Sequence, residues 1–332
     1  MRTETSVNDF RQGTEGVAPT RPARSIWHPA SAANNLLVLT AAARRYEYPR
    51  RVWDRFWRTM NRRWDGAVTQ RVYGRWAVAN VGYISPAFAR QYPEYNRCLV
   101  DVTRAMAALR GRSVVVVDVG AAIGDTLMLL FQRCPYAVSA AVGIDGDEEF
   151  FDYLSTNFRG RDQVECLQAV LGCEERTERG LVRTHSGTAS AIGDHLVSAT
   201  TLDNLAEHSA TIASVDVLKV DTDGFDGEVV AGATKLLLGA TRAVVFEWSP
   251  TQCERADTKP LRAFEVLASL GYEQFVWYRS TGPRVPDDSA PRWSELPALS
   301  ETLRRQPGDE HYDVVALPSA VSVDDYLDFL DS

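Results

Sequence analysis

The sequence predicts a doubly wound α/β fold: a mostly parallel sheet with helices on both faces and an N-terminal helical subdomain. Three observations predict it. The run Val114-Val115-Val116-Val117 is β-branched throughout, the signature of a strand buried on both faces, and it ends in a glycine turn, Gly120-Ala121-Ala122-Ile123-Gly124. From about Cys98 onward, helical and strand patterns alternate, as in linked strand–helix–strand units. The charge also divides the chain. Residues 1–110 hold 18 arginines, no lysine and 8 acids, a balance of +10, whereas the remainder holds 18 bases and 36 acids, a balance of −18.

In order along the chain, residues 1–24 are polar and are expected to form a tail without the apolar centre of a signal peptide. Residues 25–110 contain five of the eight tryptophans and are expected to form a cap or lid, with a boundary near Arg110-Gly111-Arg112. Within them, residues 50–67 predict an amphipathic helix: Trp53, Trp57, Met60 and Trp64 share one face, and Arg51, Arg55, Arg58 and Arg62 the opposite one. The tryptophans suit core packing and the arginines a solvated face. The guanidinium groups leave open an anionic acceptor or carrier.

Residues 111–320 are expected to form the sheet domain, preceded by a helix over 98–109. Strand 114–119 leads to helix 125–133, for which Asp125 and Thr126 offer N-cap chemistry. Strand 138–144, helix 147–158 and strand 164–170 follow, then strand 215–220, helix 225–237, strand 242–247 and helix 261–270. Residues 273–278 and 312–317 predict an antiparallel hairpin at one sheet edge.

A chain of 332 residues with 45% hydrophobic content can bury a full core and an appendage. No apolar run approaches the roughly 18 residues that span a bilayer, so no membrane partner is expected. Five cysteines with no Cys-x-x-Cys pair point to reduced thiols and a cytoplasmic setting. The acidic balance argues against nucleic acid, and the tryptophan-rich segment could serve a homodimer as well as a lid.

In open α/β sheets the ligand lies beyond the carboxyl ends of the strands. A dinucleotide fingerprint needs glycines at the first, third and sixth positions, but Gly120, Ala122 and Asp125 stand there, so the third glycine is missing. The loop, with Asp118 two residues before Gly120, better fits binding of S-adenosylmethionine (SAM); a glycine turn that only packs a helix is the plainer alternative. Asp145, followed by Gly146, ends the second strand, where an acid can hold both hydroxyls of a ribose. A NAD enzyme would use the same acid. Ala169 and Val170 could pack against an adenine ring. The fourth strand runs into Lys219-Val220-Asp221-Thr222-Asp223, and buried lysine and aspartate are costly unless paired or functional. Asp221 and Asp223, two apart on a strand, should face the cleft together and orient a hydroxyl, take a proton or hold a divalent cation. Alternatively, Lys219 merely pairs with an acid and Asp223 caps the next helix. Glu247 ends the fifth strand, as a site acid or as a partner of Lys219. His185 falls in the loop between the third and fourth strands, where it could be a general base or a surface histidine.

Together these blocks resemble the FkbM family of SAM-dependent methyltransferases. Asp118-Val119-Gly120-Ala121-Ala122-Ile123-Gly124 is similar to its Asp-x-Gly-Ala-Asn-x-Gly loop. Thr201-Leu202-Asp203, the block from Lys219 to Asp226, Gly232-Ala233 and the strand ending at Glu247 match its later motifs. Tyr92-Pro93-Glu94-Tyr95-Asn96 also resembles a lead-in segment of some members. The resemblance covers roughly residues 95–280. It implies a Rossmann-like class I methyltransferase fold and methyl transfer, usually to a hydroxyl of a sugar, glycoside or secondary metabolite, as in natural product biosynthesis.

Cofactor binding then falls to Asp118, Gly120, Ala121, Ala122, Gly124, Asp125, Thr126, Asp145, Gly146, Ala169, Val170 and Asp221, and catalysis to Asp221, Asp223, His185 and Glu247. Ala122 departs from the usual asparagine, Asp223 and Asp226 from the usual glutamates, and Asp145 from the commoner glutamate. A divalent metal on Asp221, Asp223 and Glu247 is a variant, not the favoured route. A NAD-dependent oxidoreductase of the same fold and a non-catalytic SAM-binding protein are the alternatives.

Overall fold

The structure is a computed structural model; it describes residues 11–12, 23–64, 66–179, 182–185, 188–190, 196–239, 241–306 and 310–331. Most of the expected 1–24 tail lies outside the described residues. After a two-residue strand β1 (Arg11–Gln12), the N-terminal elements are α1 (Pro29–Thr40), α2 (Glu47–Arg63), the hairpin β2 (Ala67–Val72) and β3 (Arg75–Asn80), and α3 (Ser85–Gln91). His28 caps α1, its Nδ1 accepting from the Ala30 amide at 3.1 Å, and Pro29 fills the first helical position. In α2, Trp53 and Met60 are buried while Arg51, Arg55, Arg58 and Arg62 face solvent. The Trp53 indole donates to the Leu37 carbonyl at 2.9 Å, fastening α2 to α1. The helix predicted over 50–67 ends early, at Arg63, because Gly66 takes φ +91° and Ala67 opens β2.

The next helix, α4 (Arg97–Arg110), leaves this small core and packs on the main sheet. Gly111, at φ +61°, stops it in the left-handed conformation of a helix C-cap. The flanking Arg110 and Arg112 both grip Asp216, which is fully buried and also accepts from the Val115 amide at 2.9 Å. A buried carboxylate needs such partners, and this one clamps the helix end to two strands.

The sheet then builds outward through β4 (Val114–Val119), α5 (Asp125–Arg133), β5 (Val138–Asp145), α6 (Glu148–Phe158) and β6 (Val164–Gln168). A side structure follows of β7 (Val170–Leu171), β8 (Arg176–Arg179), β9 (Val182–His185), β10 (Thr188–Ser190) and β11 (Leu196–Thr200). Helices α7 (Leu202–His208) and α8 (Ala210–Ala213) return the chain to β12 (Val217–Val220), on the other side of β4. Next come α9 (Asp226–Ala231), α10 (Thr234–Leu238), β13 (Ala243–Trp248), α11 (Pro250–Arg255), α12 (Arg262–Ser269), β14 (Gln274–Arg279), α13 (Leu296–Arg305), β15 (Tyr312–Leu317) and α14 (Val323–Asp331).

The strand order is β6-β5-β4-β12-β13-β15-β14, with β1 along the β6 edge; β6 through β13 are parallel, and β15 runs antiparallel to both of its neighbours, β13 and β14. The expected hairpin pair is present, with β15 inserted between β13 and β14. The helix predicted over 225–237 is broken into α9 and α10 at Gly232, where a Cβ would stand 2.1 Å from the Gly172 carbonyl. Helices α4, α5 and α6 cover one face of the sheet and α7, α9, α10 and α12 the other, each over its own apolar cluster. Because the chain turns back at β4, the neighbouring ends of β4 and β12 form a crevice, where open α/β sheets bind ligands. No helix of the described residues is long and apolar enough to cross a membrane.

Candidate active site

A cavity of about 440 Å³ opens at those strand ends, within the ~300–1,000 Å³ usual for small-molecule sites. Its floor is the glycine turn after β4. Gly120, at φ +77°, passes so close to the next strand that a Cβ would meet the Asp221 carbonyl at 1.8 Å. Gly124, at φ +83°, is itself the N-cap of α5, so Asp125 and Thr126 lie inside the helix and do not cap it. Both have other tasks. Asp125 is buried and accepts from the Tyr83 hydroxyl at 2.9 Å and from the Ser85 hydroxyl, tying the glycine turn to the N-terminal elements. Burial pushes its carboxyl up, against the pull of these two donors. Thr126 donates its hydroxyl to Asp118.

Asp118 and Lys219 are register partners on β4 and β12. The Lys219 ammonium meets Asp118 at 2.9 Å and Asp221 at 3.2 Å. Burial pulls the ammonium down, but the two carboxylates outweigh it and hold Lys219 above its ordinary value. Asp118 is thus a buried anchor beneath the loop. It does not line the cavity, and neither do Ala121 and Gly124, whereas the other residues expected at the cofactor half do. Lys219 does not pair with Glu247.

Asp145 ends β5 at the cavity wall. One of its oxygens accepts from the Ala122 amide at 2.7 Å and the other from the Asp147 amide at 2.9 Å. Burial pushes its carboxyl up to about 7. Gly146, Phe150, Ala169, Val170 and Leu171 continue this wall. An acid with unused lone pairs beside an apolar face suits a nucleoside, its ribose on the acid and its base on the apolar side.

The opposite end is acidic. β12 stops at Val220, so Asp221 and Asp223 are not strand neighbours as expected: Asp223 lies in a tight turn at φ +51°. That turn nonetheless brings Asp221, Asp223 and Glu247 to the same cavity. Asp223 does not cap α9. Asp226, one turn on, is buried and accepts from the Thr222 hydroxyl and from the Gly224 and Glu247 amides, and burial pushes it up to about 8. Glu247 accepts or pairs at its Oε2 with His311 Nε2, 3.3 Å away, while its buried Oε1 has no hydrogen-bond partner. Burial, and then the nearby Asp221, Asp226, Asp223 and Asp313, push Glu247 well up.

His185 lies on β9, in a hairpin rather than a plain loop, and its side chain lies outside the described residues. The imidazole that reaches the cavity is His311, just before β15. Sequence reasoning missed it, along with Tyr83, Ser85, Phe88 and Gln252; Tyr95 and Asn96, which also line the cavity, lie in the flagged segment Tyr92-Pro93-Glu94-Tyr95-Asn96. Trp57 reaches the cavity from the cap, its indole fixed on the Gly82 carbonyl at 3.1 Å.

Similar solved structures include the precorrin-6y C5,15-methyltransferase of Geobacter metallireducens, with 12% identity over 67% of this chain and 88% of that one and a TM-score of 0.35. The magnesium protoporphyrin IX methyltransferase of Synechocystis PCC 6803, with SAM bound, shares 14% identity over 68% and 80%, with a TM-score of 0.35. The plantazolicin methyltransferase BpumL, in complex with S-adenosylhomocysteine (SAH), shares 13% over 71% and 89%, also with a TM-score of 0.35. No curated protein is detectably similar in sequence. The family model described as "Methyltransferase FkbM domain" matches residues 118–273, from the acid before the glycine turn to the start of β14. Residues 118–273 thus match the FkbM methyltransferase domain, and the sheet topology is that of the class I, Rossmann-like methyltransferase fold.

Proposed function

We propose that the protein is an O-methyltransferase acting on a hydroxyl of a polar small molecule, such as a sugar, glycoside or hydroxylated secondary metabolite. The observation that carries this is the polarity of the cavity. A nucleoside-type end at Gly120, Asp145 and Ala169–Val170 faces an end lined by Asp221, Asp223 and Glu247, under aromatic residues of the cap. When bound, SAM supplies an electrophilic methyl group on a positively charged sulfur. The protein's part is alignment and proton removal. Asp145 and the Ala122–Asp145 contact fix the cofactor end, while Trp57, Tyr95 and Phe88 wall the acceptor end and exclude water.

The carboxylates of Asp221 and Asp223 are placed to orient the acceptor hydroxyl and take its proton. Their charge disfavours an anionic acceptor at this point, and the exposed arginines of α2 are not part of the cavity lining. We place cofactor binding on Gly120, Ala122, Asp145, Gly146, Ala169 and Val170.

The test is incubation with SAM and a panel of hydroxylated, amine and carboxylate acceptors, followed by SAH release and product mass. Gain of one methyl on a hydroxyl, with NAD neither bound nor reduced, is the expected outcome. Methylation confined to amines or carboxylates, or NAD binding without SAM binding, would overturn it.

A further inference from the structure

Glu247 and Asp313 are register partners across the antiparallel pair β13–β15, and His311 precedes Asp313 by two residues, the spacing that returns a side chain to the same side of an extended chain. One donor atom from each of the three lies within 4.8 Å of the others. The donor set is one imidazole and two carboxylates, of which His311 and Glu247 line the cavity, and such a set holds first-row divalent cations.

Two further observations point the same way. Oε1 of Glu247 is buried without a hydrogen-bond partner, although the Glu247 side chain is only 13% exposed. Such an orphaned oxygen is costly unless something outside the protein satisfies it. The second is spacing. The 3.3 Å between His311 Nε2 and Glu247 Oε2 is long for a charge-assisted hydrogen bond. It falls in the roughly 3.0–3.4 Å range expected for two donors sharing an ion at bonds of about 2.0–2.2 Å. The surrounding charge is also unbalanced: Asp221, Asp223 and Asp226 all act on Glu247, while the nearby Lys219 is already engaged by Asp118 and Asp221.

We infer that Glu247, His311 and Asp313 form a binding site for a divalent first-row metal cation at the acceptor end of the cavity. The ligand set differs from the Asp221–Asp223–Glu247 set suggested by the sequence, because His311 and Asp313, just before and within β15, come from outside the matched domain. The role of the ion rests on the methyl-transfer proposal; its binding does not. Beside a divalent charge an acceptor hydroxyl gives up its proton more readily. The proton passes to a carboxylate of the Asp221–Asp223 turn, the oxygen's electron pair forms the bond to the methyl carbon, and the pair of the broken C–S bond stays on sulfur. An acceptor with two adjacent hydroxyls would gain most, since both can face the open positions of the ion.

The test is calorimetric titration of the chelator-treated full chain with Mn²⁺, and with Mg²⁺ for comparison, alongside SAH titration of the same samples. One saturable Mn²⁺ site is expected, tighter than for Mg²⁺ because of the imidazole, with nitrogen hyperfine coupling in the Mn²⁺ resonance spectrum. Glu247→Gln and His311→Ala should each weaken it ~10–100-fold, while the exposed His208→Ala should not. Retained SAH binding shows that these variants are folded. SAH binding without saturable Mn²⁺ binding, or Mn²⁺ binding indifferent to both substitutions, overturns the cation site and leaves methyl transfer standing. Cation binding without SAH binding does the reverse.

Discussion

Ala122 sits at φ +47°, in the left-handed region that glycine adopts freely and asparagine tolerates better than alanine. The asparagine usual in the resembling loop therefore has a backbone reason, independent of any contact to the cofactor. This chain keeps the conformation without that residue, and the Ala122 amide bound to Asp145 holds it there. Replacing Ala122 by Gly should stabilise the protein by about 1 kcal/mol, read from the urea unfolding midpoint; an unchanged or lowered midpoint counts against strain here. Asp145 carries a second prediction. Its carboxyl titrates near 7 when folded and near ~4 when unfolded, so the folded state holds the proton more tightly. Its contribution to stability is complete below about pH 4 and is lost as pH rises toward about 7. Asp145→Asn should flatten that part of the stability–pH curve relative to the parent, and parallel curves would refute the assignment.

Polar contacts join the elements here at specific points. The cap meets the sheet domain at the first turn of α5, through the hydroxyls of Tyr83 and Ser85 on the buried Asp125. Tyr83→Phe removes one donor and leaves that carboxylate half-satisfied, which should cost about 1–3 kcal/mol and loosen the cap. Hydrogen exchange of α3 should speed up while β4 stays protected; unchanged exchange in α3 would show that the remaining contacts, Ser85 on Asp125 and Asn157 on Val78, hold the cap without it. The β2–β3 hairpin shows why part of the cap was not legible. Its two-residue turn is Tyr73-Gly74, with φ +42° and +79°. Both signs match a type I′ turn, but a tyrosine at the first position lacks the Asn-Gly or Asp-Gly signature. The strand run at residues 114–119 and helix 125–133, by contrast, were fully legible, because local pattern and tertiary role agree there.

Across the whole molecule, the glycine-turn floor of the cavity was legible because it is built from consecutive residues: a strand, its turn and its helix. The opposite end was not, because it depends on long-range pairing. Nothing near His311 in sequence indicates that β15 will slot between β13 and β14 and set Asp313 opposite Glu247.

The stretch matched by the family model supplies the glycine turn, Asp145 and the acidic turn, whereas Trp57, Tyr83, Phe88, Tyr95 and His311 come from segments before and after it. These residues are separable in sequence from the strand–turn–helix that starts at β4, except Tyr83, whose hydroxyl ties the cap to Asp125 at the start of α5. An exchange of the flanking segments would therefore change most of the side chains that face Asp221, Asp223 and Glu247 while leaving the glycine turn and Asp145 in place.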